Sequence, residues 1–158
     1  MVANEHWRYE AALACCAAVS SSRGVVHWET RQRSFTATDI IDFLTSLSNK
    51  IQNPTKCIIL LDNATIHTCN RTRLHAEALG LTLVFNVPYA PWYNGIENVW
   101  AQIKKNFSCQ VLKIKTNTMA AKPLSEVVND AMNSVRLTTI VNCCMRAERL
   151  ILLDAESG

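Results

Sequence analysis

Two acidic residues are the natural starting point for chemistry in this chain. Asp62 stands where an unbroken apolar run, Cys57 to Leu61, stops. Ligand sites in open α/β sheets gather at the carboxyl ends of strands, so a carboxylate there is rigidly held yet faces a crevice. Glu97 lies in the first turn of a helix expected to begin at Ile96, directly after the turn-rich stretch Pro88 to Asn94. Each also has an ordinary reading. A strand-end aspartate caps the turn that follows it, and a first-turn glutamate balances the helix dipole. Taken singly, each acid is better explained that way.

The elements that would position them can be read from periodicity. Tyr9 to Ser20 is small and apolar, and Gly24 to Thr30 is β-branched and aromatic, so the two read as a hairpin of strands. Thr36 to Ile51 reads as a helix: Thr36 or Thr38 can cap it, Asp39 sits in its first turn, and Ile40, Phe43, Leu44, Leu47 and Ile51 share one face. Cys57 to Leu61 is expected to be a strand buried on both faces. Cys69 to Leu79 should be a helix stopped by Gly80, with a second buried strand at Leu81 to Phe85. Strand, helix and strand in one sheet imply a parallel pair. Helices are then expected at Ile96 to Phe107, Leu124 to Val135 and Thr139 to Leu152, giving an α/β fold.

Composition narrows the field without naming a function. The chain has 158 residues, 49% of them hydrophobic and 18% charged, with only four glycines and four prolines. That suits one domain over residues 1–158, with no long flexible linker. The longest apolar stretch, Ala11 to Val19, is too short to cross a bilayer, so a soluble protein without a membrane partner is expected. Net charge is +3, compatible with a polyanion partner without requiring one. Lys104 and Lys105 form one of several weak basic clusters, which on charge alone read as solvated helix faces. None of the seven cysteines forms a CxxC pair. A structural zinc site is therefore not expected, and Cys15, Cys16 and Cys57 read as small apolar residues in a reducing compartment.

Asp62 and Glu97 gain meaning from their surroundings. Leu61-Asp62-Asn63-Ala64, with His67 three residues on, is followed after a strand by Pro88-Tyr89-x-Pro91-x-x-Asn94-x-Ile96-Glu97-Asn98-Val99-Trp100. Thirty-four residues separate the two acids. This pattern resembles the mariner-type transposases of the DDE superfamily. The resemblance implies a ribonuclease-H-like mixed sheet flanked by helices, and two divalent cations, Mg²⁺ or Mn²⁺, held by clustered carboxylates for DNA cleavage and strand transfer. Asp62 and Glu97 fall on that family's second and third acidic positions, as catalytic and metal-binding residues. Asn63, His67 and Asn94 match its motif as residues shaping the site, although His67 also reads as a locally hydrogen-bonded residue where a helix starts. Lys104 and Lys105 become the expected nucleic-acid contacts, and a functional transposase would work in the nucleus.

The chain also departs from the pattern. No apolar run ending in an aspartate precedes Tyr9, where the family's opening strand carries its first acid. Glu5 and Glu10 are the nearest acids; Glu29, Asp39 and Asp42 fall on other elements. The family's N-terminal helix-turn-helix is not seen, and Gly95 stands where proline is usual. Relative to the family, the chain reads as N-terminally truncated with the opening strand missing. Either that strand comes from another polypeptide, or the chain is a domesticated, inactive scaffold or nucleic-acid-binding subunit of a larger assembly. In both cases an unpaired sheet edge is expected, covered by a protein partner.

Overall fold

The computed structural model describes residues 13–157; the side chains of Leu153, Asp154, Glu156 and Ser157 are not described. Glu5 and Glu10, and the first residues of the expected strand segment from Tyr9, lie outside the described residues. A hairpin comes first, with β1 at Ala14–Ser20 and β2 at Gly24–Arg31. They pair antiparallel from Ala14 opposite Arg31 to Ser20 opposite Gly24, with a register shift at Ala18/Val19. Gly24 closes the turn at φ +77°, a left-handed conformation that glycine adopts without a Cβ clash.

Helix α1 spans Ala37–Ser48 and begins with a full capping box. The Thr36 side chain accepts from the Asp39 amide, and Asp39 accepts from the Thr36 N–H at 2.8 Å and the Thr36 hydroxyl at 2.6 Å. Of the two threonines that could have capped the helix, Thr36 does so. Arg33 adds two hydrogen bonds to the Asp39 carboxylate, at 2.6 and 2.9 Å. This nest of donors holds the Asp39 carboxyl well below the usual carboxylate range.

Next come β3 at Ile58–Leu61, a one-turn α2 at Thr65–Thr68, α3 at Asn70–Ala78 and β4 at Thr82–Phe85. As expected, β3 and β4 are parallel, paired from Ile58 opposite Thr82 to Leu61 opposite Phe85. Gly80, at φ +73°, ends α3 and turns the chain into β4. The expected burial of these strands on both faces is wrong. Ile58 is 70% exposed, and Leu60 and Val84 are exposed as well, while Ile59 and Leu83 pack against α1 and α3. An unbroken apolar run states what a strand can tolerate on each face, whereas only the packed helices decide which face is covered.

The rest is helical: α4 at Gly95–Lys115, α5 at Leu124–Asn133 and α6 at Leu137–Ser157. α4 runs eight residues past the expected end at Phe107, because Ile114 finds a buried place. Two cores result. Val99, Ile103, Met132 and Ile140 join α4, α5 and α6, and receive Cys15, Ala17 and Val19 from β1. Ile40, Leu44, Ala76 and Leu81 form the other core, which receives Cys16. The two-residue period of β1 therefore sends neighbouring side chains into opposite cores, and β1 lies between two layers of helix. Among the described residues no helix is long and apolar enough to cross a membrane.

Candidate functional site

Because β3 and β4 are parallel and in register, they end at the same level, which sets Asp62 beside Asn86. The Asn86 amide N–H donates to the Leu61 carbonyl at 2.8 Å, and the Asn63 side-chain amide donates to the Asn86 carbonyl. The Asn86 side chain then donates to the Ala90 carbonyl at 2.8 Å, fastening the proline-rich turn to the strand ends. That turn includes a 3₁₀ segment, Pro91–Tyr93, and delivers Asn94 as the cap of α4. Asn94 is buried, and its side chain accepts from the Ile96 amide. Glu97 follows in the first turn of α4. Asparagine bridges thus connect the end of β3 to the start of α4. Asn86 was not identified from the sequence, since an asparagine in a loop carries no periodic signal.

Asp62 and Glu97, so far apart in the chain, line one cavity, with His67, Asn94 and Trp100 also on its walls. The Asp62 carboxylate is 55% exposed. Its Oδ1 accepts from the Ala64 amide at 2.9 Å and meets His67 Nδ1 at 2.7 Å. An ionised carboxylate only accepts, so this contact requires the proton on Nδ1 of His67. Both bonds fall on Oδ1, which leaves Oδ2 available at the rim. The ordinary readings of the two residues, turn cap and locally bonded histidine, are thus realised together with the exposed rim position. Glu97 is exposed and makes no hydrogen bond or ion pair among the described residues.

Other groups share this cavity, and Glu148 among them carried no signal in the sequence. Glu148 on α6 contributes a further carboxylate to the wall. Cys16 on β1 lies within electrostatic reach of Asp62, and its thiol is pushed up to about 12, first by burial and then by Cys15, Glu29 and Asp62. It stays protonated at neutral pH and behaves as an apolar wall residue. Lys104 and Lys105 are exposed on α4. Lys104 falls seven residues after Glu97, two helical turns along the same face, roughly 10 Å away.

The described residues do not complete a cation site. Among them no group of three or more His, Cys, Asp or Glu residues is arranged to hold a metal ion. Asp62 and Glu97 are hard oxygen donors of the kind magnesium takes, yet with His67 turned to Asp62 they make only part of a ligand set.

Comparison with known proteins bears on this arrangement. None of the curated proteins matches the chain. Among solved structures, the catalytic core domain of BIV integrase is similar, with a TM-score of 0.54 and 17% identity over 76% of this chain and 72% of that one. At that identity the likeness is one of fold, and the fold is ribonuclease-H-like. Residues 4–118 match the family described as DDE superfamily endonuclease. That match takes in both acids, the asparagine bridges and most of the chain, and the protein belongs to the DDE superfamily endonuclease family.

Proposed function

We propose that this is a mariner-type transposase domain that cleaves and joins DNA at the cavity rim bearing Asp62 and Glu97. What supports the reading is one observation: two acids with 34 residues between them in the sequence line the same cavity, one with a free carboxylate oxygen and one with no partner among the described residues. In this reading Asp62 is held in one orientation by His67 and the Ala64 amide. Its Oδ2 and the Glu97 carboxylate present negative charge to Mg²⁺ or Mn²⁺, while Lys104 and Lys105 attract the phosphate backbone. The ligands still needed come from outside the described residues, through a protein partner or through the segment before Leu13. A DNA substrate would put the active protein in the nucleus.

The test is incubation with end-bearing or nicked DNA in Mg²⁺ or Mn²⁺. Cleavage is expected, and Asp62→Asn should lower it by about 100-fold or more, the scale of losing a principal electrostatic group. Cleavage that survives Asp62→Asn would remove these acids from the mechanism.

A second reading has its own observation. The Asp62 carboxylate already has local partners in His67 and the Ala64 amide, which supports a domesticated, inactive scaffold that retains the fold. Binding of DNA without cleavage, unaffected by Asp62→Asn, would favour it.

A further inference from the structure

Away from the acid rim, a line of side chains joins the residues just past α1 to β2. Lys50 Nζ lies 2.8 Å from Nδ1 of His27, and His27 Nε2 lies 3.0 Å from Oε1 of Glu29. An ammonium carries only donors, so Lys50 donates and Nδ1 of His27 accepts. The ring proton then sits on Nε2 and is donated to the glutamate. The other oxygen of Glu29 accepts from Arg31 at 2.8 Å, which fixes the carboxylate. Phe43 stacks on the imidazole, with ring centroids 4.9 Å apart. The His27 and Glu29 side chains are only 10% and 17% exposed, whereas Lys50 is exposed. Arg23 donates to the Lys50 carbonyl at 2.9 Å and ties down the backbone there.

This is the arrangement of a nucleophile, a base and a group that orients the base. A lysine amine attacks carbonyl carbon, and it must shed a proton to end as a neutral amide. Nδ1 of His27 is the acceptor within reach. Glu29 holds the imidazole in the tautomer that leaves Nδ1 open, and it stabilises the imidazolium that forms. Beside the pair is a second pocket, of about 310 Å³, lined by Val25, Val26, His27, Trp28, Lys50 and Asn133. That is near the lower end of the size range for small-molecule sites. Two valines and a tryptophan among its residues suit a short apolar chain. Apart from Val26, none of these residues lines the cavity of Asp62 and Glu97.

We propose that Lys50 is an acylation site, at which a short-chain acyl thioester enters this pocket and transfers its acyl group to Nζ. The ammonium first gives one proton to solvent, and the free amine still donates to Nδ1 of His27. The amine attacks the thioester carbonyl carbon, so that a C–N bond forms and the C–S bond breaks. Nδ1 of His27 takes the surplus proton from Nζ and passes it to the departing thiolate sulfur. One amide and one thiol result, with no oxidant or reductant. A thioester suits the site because a thiolate is a weak base and leaves without a strong acid to protonate it. The amide keeps an N–H, so the hydrogen bond to His27 survives while the positive charge of Lys50 is lost. The proposal uses none of the residues assigned to metal or DNA above and stands apart from that reading.

The test uses the full 158-residue chain with S-acetyl-N-acetylcysteamine as the thioester. Acetylation of each lysine is followed in time by peptide mass spectrometry. Lys56, Lys104 and Lys105 are exposed too and serve as internal standards. Lys50 should react faster than they do by about tenfold or more, a modest figure for help from a placed base. His27→Gln should bring Lys50 down to the standards. Asn133→Trp, which fills the pocket and leaves the three side chains in place, should slow Lys50 and not the standards. Where circular dichroism shows His27→Gln to be unfolded, the wild-type ratio and Asn133→Trp carry the test. Lys50 reacting no faster than the standards would overturn the proposal. So would a folded His27→Gln that keeps the fast rate, or a filled pocket that leaves the rate at Lys50 unchanged.

Discussion

Asp62 illustrates how one carboxylate can be fixed by its neighbours and still keep an oxygen free. Its Oδ1 is occupied by the Ala64 amide and His67, so its orientation is set before anything binds, and Oδ2 is left over. Asp39 shows the opposite outcome. Buried beneath Arg33 and bonded to Thr36, it has every oxygen committed to holding the start of α1. Its carboxyl is held well below the usual range, mainly by the Arg33 and Thr36 hydrogen bonds. In the unfolded chain the same group takes up its proton near pH 3.9, roughly the free aspartate value. Stability from Asp39 is therefore complete above that pH and is lost as pH falls through the depressed folded value. Thermal melts of wild type and Asp39→Ala should differ most near neutral pH, and the gap should shrink progressively below about pH 4. A gap that stays constant into strong acid would contradict the assignment.

At the scale of elements, the contact of α4 with α6 explains a departure from the family pattern. A Cβ built on Gly95 would lie 3.0 Å from the Cys144 Cα and 3.1 Å from the Cys143 carbonyl oxygen. The α6 backbone occupies the space that a larger residue would need, and backbone cannot swing aside as a side chain can. Gly95→Ala should lower stability by about 1–3 kcal/mol, the usual cost of overpacking, as measured by urea unfolding. An unchanged midpoint would show that the two helices part freely. Much at this scale was legible in the sequence, because it is local. The hairpin, the Thr36 cap, the stop at Gly80 and the parallel order of β3 and β4 each follow from a few adjacent residues. The one-turn α2 and the extra length of α4 were not legible. Neither has a pattern of its own, and tertiary packing decides both.

The whole molecule sets the rim. Parallel register ends β3 and β4 together, asparagine side chains tie those ends to the proline-rich turn, and the turn aims the first helical turn of α4 at the same cavity. The two acids were legible through their motif, whereas Glu148 and Cys16 join the cavity wall, and Asn86 the strand ends, only through the fold. The exposed face of β3 was illegible for the same reason: it depends on what the two sheets leave between them. The central claim is that Asp62 and Glu97 act as one site, and manganese binding followed by electron paramagnetic resonance tests it most directly. Wild type should bind Mn²⁺, and Asp62→Asn and Glu97→Gln should each weaken binding by about tenfold or more. The double variant should lose little beyond either single change, as for residues sharing one ion. Single variants that bind as wild type does, or losses that simply add in the double variant, would contradict a shared site.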